Sequence, residues 1–169
     1  TSNTKETLSE DARLSQALAQ LTEAIAKAPN DPALYTQRAA IHYNMGKQDA
    51  ALADYTTALS LKDDPKTRYL RAVVYVAAGN SQMAYEDLTV ALKADGENSD
   101  YLSLMADTCN ALKKYEQALA CLEKLLADDS ENSVLLTLAG DACVYLTNYE
   151  KALPFYEKAI LHYSDKTQN

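Results

Sequence analysis

Residues 114–126 read KYEQALACLEKLL, and residues 148–160 read NYEKALPFYEKAI. The second phrase is the first, restarted at Asn148 instead of Lys114, with Tyr, Ala and Leu or Ile at matching places. Recurrence at a fixed period is the mark of a repeat architecture, so the count is carried outward from here. Ala17, Ala51, Ala84, Ala118 and Ala152 follow one another at steps of 34, 33, 34 and 34. Ala24, Ala58, Ala91, Leu125 and Ala159 keep the same spacing, and Ile or Leu follows each of them. A third series, Ala39, Ala72, Ala106 and Gly140, is spaced by 33, 34 and 34.

Each period reads as two helices. In ALYTQRAAIHYNM (33–45) apolar residues fall three and four apart, and Gly46 then breaks the pattern; QDAALADYTTALSL (48–61) resumes it. The stretches between periods, such as APNDP (28–32) and KDDP (62–65), are turn chemistry. Asp31–Pro32 and Asp64–Pro65 each set a capping carboxylate before a proline suited to the first helical turn. Asn98 or Ser99, and Asn132 or Ser133, are expected to cap later helices. Thr7 with Glu10 suits a capping box at the start of a leading helix. Gly96 is expected to take the left-handed conformation that ends a helix. The small residues mark crossings, because two helices approach to about 8 Å only where a short side chain lies between them. No segment alternates with strand period.

These registers resemble the tetratricopeptide repeat, a helix-turn-helix unit. The likeness rests on the small residue of the first helix, on His42, Tyr75, Cys109 and Cys143 three places later, on the turn glycines Gly46 and Gly79, and on the Ala and Tyr or Leu positions of the second helix. The family's early Trp is replaced by Tyr35, Arg68, Leu102 and Leu136. The resemblance implies an all-α fold, an alpha-alpha superhelix of about four full repeats. They are placed at 32–64, 65–98, 99–132 and 133–166, after a leading helix at 8–28, within a domain spanning 7–166. Residues 1–6 and 167–169 are read as tails. Pro154, five or six residues into the last helix, removes one backbone donor and is expected to bend the helix slightly.

Little in the chain points to catalysis. His42 lies in a core register, and His162 sits near a helix C-terminus, where a cation suits the dipole. Neither belongs to a metal-binding spacing. Cys109, Cys121 and Cys143 lack a paired CxxC; they read as small apolar fillers, not zinc ligands. With four glycines in all, the chain has no phosphate loop. The expectation is a non-catalytic protein with no cofactor and no metal.

The formal charge is −8. That balance argues against nucleic acid, which asks for clustered Lys and Arg. No run of 18 or more apolar residues suggests membrane insertion. A soluble, cytoplasmic protein is expected from the three unpaired cysteines and the lack of an apolar leader; a periplasmic or exported one, after leader removal, is the alternative.

The family resemblance implies that first helices line a concave face. Its stripe maps here to Ala33, Thr36, Ala40, Tyr43 and Asn44; to Lys66, Tyr69, Val73, Val76 and Ala77; to Asp100, Ser103, Asp107, Asn110 and Ala111; and to Val134, Thr137, Asp141, Val144 and Tyr145. Tyr43, Tyr69, Val73 and Val76 would make an apolar patch, beside Lys66. Asp100, Asp107 and Asp141 would make an acidic rim. The implied function is a protein–protein interaction scaffold or adaptor that holds a peptide or partner segment with apolar anchors and basic residues. One class of the family binds acidic chaperone tails through paired cations. The matching places here are Thr36, Ala40, Leu70, Asp100 and Leu104, so such tails are not expected to bind. The alternative function is a structural or oligomerisation module of a larger protein. It would use the last helix, where Phe155, Ile160, Leu161 and Tyr163 offer a surface for homodimerisation.

Overall fold

The computed structural model describes the backbone of residues 9–166 and the side chains of residues 9–162. The expected tails, the expected cap Thr7 and the side chain of Tyr163 lie outside the described residues. Within them every regular element is an α-helix: α1 (Glu10–Lys27), α2 (Pro32–Asn44), α3 (Gln48–Leu61), α4 (Pro65–Ala77), α5 (Ser81–Ala94), α6 (Ser99–Ala111), α7 (Tyr115–Asp128), α8 (Ser133–Tyr145) and α9 (Tyr149–Lys166).

Short polar side chains start these helices by accepting orphan backbone donors. Ser9 accepts from the Ala12 amide at 3.3 Å and Asp31 from the Ala33 amide at 2.9 Å. Asp64 takes both the amide of Thr67, at 2.8 Å, and its hydroxyl, at 2.9 Å. At α6 and α8 the caps are the asparagines: Asn98 accepts from Tyr101 and Asn132 from Val134 and Leu135, each at 3.2 Å.

Helix ends differ, and the end of α5 departs from the expectation at Gly96. Gly96 is not left-handed. α5 stops instead at Asp95, at φ −142° and ψ 86°, whose amide bonds back to Ala91. Gly96 lends its carbonyl to the Lys124 ammonium at 2.9 Å. Among the described residues the left-handed ones are Gly46, Gly79, Lys113 and Thr147, with φ of 72, 76, 58 and 58°. They recur with the period of the repeat, at the turns after α2, α4, α6 and α8. After each, the next amide reaches back to the carbonyl of His42, Tyr75, Cys109 or Cys143 at 2.8–2.9 Å, the six-residue closure of a Schellman motif.

The chain forms two compact units, the first ending at Val74 and the second beginning at Tyr75. In the first, α1 packs on α2 and α2 on α3. Its core is Ala39, Ala51, Tyr55 and Val74, flanked by Tyr43, Leu52 and Leu70. Beside that core lies a charged pair. The Arg38 guanidinium donates twice to the Asp54 carboxylate, each bond 2.7 Å, and Asp54 is 6% exposed. The bond to Asp54 raises the pKa of Arg38 against the opposing effect of burial. His42 places Nε2 3.9 Å from the same carboxylate, while its Nδ1 is buried with no partner. Burial lowers its pKa, so it is the neutral, packed histidine the register implies.

In the second unit α5 packs on α6, α6 on α7, α7 on α8 and α8 on α9. Leu88, Leu122, Cys109 and Cys143 are fully buried, among Ala84, Ala91, Ala106, Ala118 and Ala139. Burial pushes all three thiols upward, Cys109 to about 11, which suits fillers rather than nucleophiles. A close crossing lies at Gly140. A Cβ there would come within 2.6 Å of the Tyr156 ring. The same ring donates its hydroxyl to Asp141 at 2.6 Å. α9 runs unbroken through Pro154.

Candidate functional site

In the first unit the candidate residues are shared between core and surface. Tyr43 packs against the core and is half-buried, as are Tyr69 and Val73. Lys66 is exposed. It lines a shallow depression of about 300 Å³ with Pro32, Ala33, Thr36, Lys62 and Asp64.

In the second unit Val76, in the last turn of α4, is half-buried. On α6 the period of 3.6 puts Tyr101, Leu102, Met105 and Cys109 inside and leaves Asp100, Ser103 and Asp107 outside. Asp107 is exposed, yet enough protein surrounds it for desolvation to raise its pKa. A carboxylate that water reaches but that is partly desolvated is one whose charge a basic ligand relieves. On α8, Val134 and Tyr145 are each 65% exposed. Asp141 differs from the other two acids. It is half-buried and accepts the Tyr156 hydroxyl, so it holds α9 in place as well as facing outward.

Two features here were not singled out from sequence. Tyr145 stacks on Tyr115, the first residue of α7, with ring centroids 4.5 Å apart and planes within 9°. The Lys114 ammonium sits 3.5 Å above the Tyr85 ring. The one-repeat step from Tyr115 to Tyr149 was the available signal, since an aromatic opens both α7 and α9.

The self-association candidates point in different directions. Phe155 is half-buried and borders a depression of about 300 Å³ with Leu126 and Leu136. Ile160 is 70% exposed and lines a separate trough of about 680 Å³ with Val134, Thr137, Leu138, Tyr156 and Ala159. Leu161 is 60% exposed. Among the described residues no cluster of three or more His, Cys, Asp or Glu could hold a metal, and no helix is long and apolar enough to cross a membrane.

Comparison with known proteins bears on what such an arrangement is for. The tetratricopeptide-repeat family profile matches residues 32–65 and 134–161. A profile described as anaphase-promoting complex, cyclosome, subunit 3 matches residues 51–125. Serine/threonine-protein phosphatase T of Aspergillus oryzae (strain ATCC 42149 / RIB 40) is 33% identical over 98 residues, 56% of this chain. The chain spans about a fifth (20%) of the length of that curated relative. Among solved structures, MamA superposes with a TM-score of 0.81 at 13% identity, over 92% of each chain. YrrB, described as a TPR protein with an unusual peptide-binding site, superposes with a TM-score of 0.81 at 19% identity, over 90% of this chain and 79% of its own. At such identities the likeness speaks for the fold, an alpha-alpha superhelix. The repeat period, the recurrent left-handed turns, the matched repeats and the shared fold make this chain a tetratricopeptide-repeat protein, a member of a generally non-catalytic family of protein–protein interaction scaffolds.

Proposed function

We propose that the chain is a non-catalytic adaptor that holds a peptide or an extended partner segment on the outward stripes of its first helices, with repeats at 32–64, 65–98, 99–132 and 133–166. In the first unit Tyr43, Lys66, Tyr69 and Val73 supply an apolar surface with one cation. In the second, Val76, Asp100, Asp107 and Asp141 supply acidity. The ligand expected is a segment with apolar anchors and Lys or Arg, and acidic chaperone tails are excluded by charge. The observation that carries the reading is the face of α6 on which Asp100, Ser103 and Asp107 are exposed while Tyr101, Leu102, Met105 and Cys109 are buried. The peptide-binding site described for YrrB, which shares the fold, supports it as precedent. The test is capture of partners from a lysate, identified by mass spectrometry and repeated with Tyr69→Ala and Asp107→Lys. Loss of the captured set is expected, with helix content unchanged. Undiminished capture by both variants would remove the reading.

A second reading has its own observation. Leu153, Ile160 and Leu161 are 58, 70 and 60% exposed on one helix. The chain would then join a larger assembly through the α9 face, the simplest case being a homodimer. Light scattering on Leu161→Glu and Ile160→Asp tests that case: a mass that never exceeds one chain, in the parent or the variants, counts against it.

A further inference from the structure

The repeat contains its own control for the α9 face. Leu119, Leu122, Leu125 and Leu126 of α7 have register-mates one repeat on: Leu153, Tyr156, Ala159 and Ile160 of α9. On α7 all four are buried, at 7, 1, 7 and 9% exposure, and α8 packs against that helix. On α9 the outer two, Leu153 and Ile160, are 58 and 70% exposed, although they keep the residue type of a packed position. Between α8 and α9 the trough of about 680 Å³ runs past Val134, Leu138, Tyr156 and Ile160. The molecule thus shows, one repeat earlier, what kind of object covers such a face: a single helix laid along it.

Charge indicates whose helix it is. Glu150, Leu153, Glu157 and Ile160 are three, four and three residues apart, so they share one side of α9. Both glutamates are exposed. Lys151 and Lys158, seven apart, fall on another side, where Lys151 pairs with Glu123 of α7 at 2.7 Å. The apolar stripe is therefore edged by carboxylates, with Lys151 and Lys158 on another side. A second copy of this chain would bring the same glutamates and a charge of −8 to the contact.

We propose that the trough between α8 and α9 is a docking site for one amphipathic helix of a partner protein, apolar along one stripe and flanked by Lys or Arg. The proposal rests on the second reading above and names its occupant. The visiting helix lies on α9 as α8 lies on α7, with leucine-type residues against Val134, Leu153 and Ile160 and its cations against Glu150 and Glu157. A small residue is needed where it crosses α9, as Gly140 serves where Tyr156 meets α8.

The probe is a fluorescein-labelled Leu/Ala/Lys amphipathic helix, compared by anisotropy with a Leu/Ala/Glu helix of the same apolar pattern. The basic helix is expected to bind at least about tenfold more tightly. Leu153→Asp and Ile160→Asp, each judged folded by circular dichroism, should each weaken it about tenfold. Glu150→Lys/Glu157→Lys should weaken it, while Asp49→Lys/Glu116→Lys, with the same change in net charge, should not. Equal binding of both probes, no binding of the basic one, or equal loss in the two charge-reversal variants overturns the proposal. A dimer that Ile160→Asp converts to a monomer makes the occupant a second copy, which overturns it while sparing the assembly reading. A monomer that binds neither probe overturns both.

Discussion

The α6/α7 and α8/α9 pairs are built from the same sequence register and end in different states. In the first pair the matching register residues are Ala106 and Leu122, both buried, and Leu119 and Leu126 are covered. In the second the small residue is Gly140, the large one Tyr156, and Leu153 and Ile160 stand open. A helix position is thus not apolar because it is buried in this chain; it is apolar because the repeat assumes a neighbour. For α7 that neighbour is α8, the first helix of the next repeat. This is how a stacked architecture turns a structural register into a binding surface without changing its residues.

Truncating register-mates tests this most directly. Leu126→Ala should cost about 3 kcal/mol, from lost transfer energy and the cavity left behind. Ile160→Ala should change stability by no more than about 0.5 kcal/mol. Urea unfolding followed by helix signal reads both, and equal losses would mean that the α9 face is packed in solution. The crossing comes next. Gly140→Ala gains about 1 kcal/mol of helix propensity but drives a methyl into the Tyr156 ring, so a net loss of about 1–2 kcal/mol is expected. Gly140→Ala/Tyr156→Leu rebuilds the Ala106/Leu122 pair and should recover that loss; failure to do so would show that ring contact is not the cause.

The hydroxyl is a smaller effect with a pH signature. Desolvation first, and the bond to Asp141 second, push Tyr156 up to about 12. The fold favours the neutral phenol, so its contribution is intact below pH 10, the ordinary tyrosine value, and is lost as pH climbs from 10 towards 12. Tyr156→Phe should cost about 1 kcal/mol at neutral pH and flatten the decline above pH 10. A decline of the same steepness in both proteins would assign it to other groups. No matching effect can arise at Leu122.

Much of this was legible in sequence. The small-residue registers gave the helices and their pairing because a crossing constrains side-chain volume directly. The resemblance put Asp100 and Asp107 on one stripe of α6, and both are exposed there while Leu102, Met105 and Cys109 are buried. What escaped were features that depend on a partner elsewhere in the fold. Arg38 and Asp54, 16 residues apart, close a bidentate pair across α2 and α3. Arg71 and Asp87 keep the same offset one repeat later, a signal that could have been read. The engagement of Asp141 depends on Gly140 letting a tyrosine ring come close, which composition does not announce. Phe155 and Ile160, neighbours in a list of apolar residues, face different depressions because five positions along a helix is far from a whole number of turns.

The finest difference between the pairs lies in their turns. Gly46 and Gly79 hold left-handed backbone at little steric cost, but Lys113 and Thr147 hold the same conformation with a Cβ. For Thr147 the branch at Cβ adds to the strain, and its hydroxyl, bonded at 2.7 Å to the Leu146 carbonyl, returns part of it. The Schellman closure from the Asn148 amide to Cys143, at 2.9 Å, is what keeps the residue there. Thr147→Gly should therefore stabilise the protein by about 0.5–1 kcal/mol, net of the extra freedom glycine gives the unfolded chain. Lys113→Gly should give less, because lysine is unbranched at Cβ. Gly79→Ala, introducing the same strain where none exists, should destabilise by about 1 kcal/mol. If Thr147→Gly lowers the urea midpoint instead, the hydroxyl bond outweighs the strain, and the last turn is held by its side chain and not by its backbone.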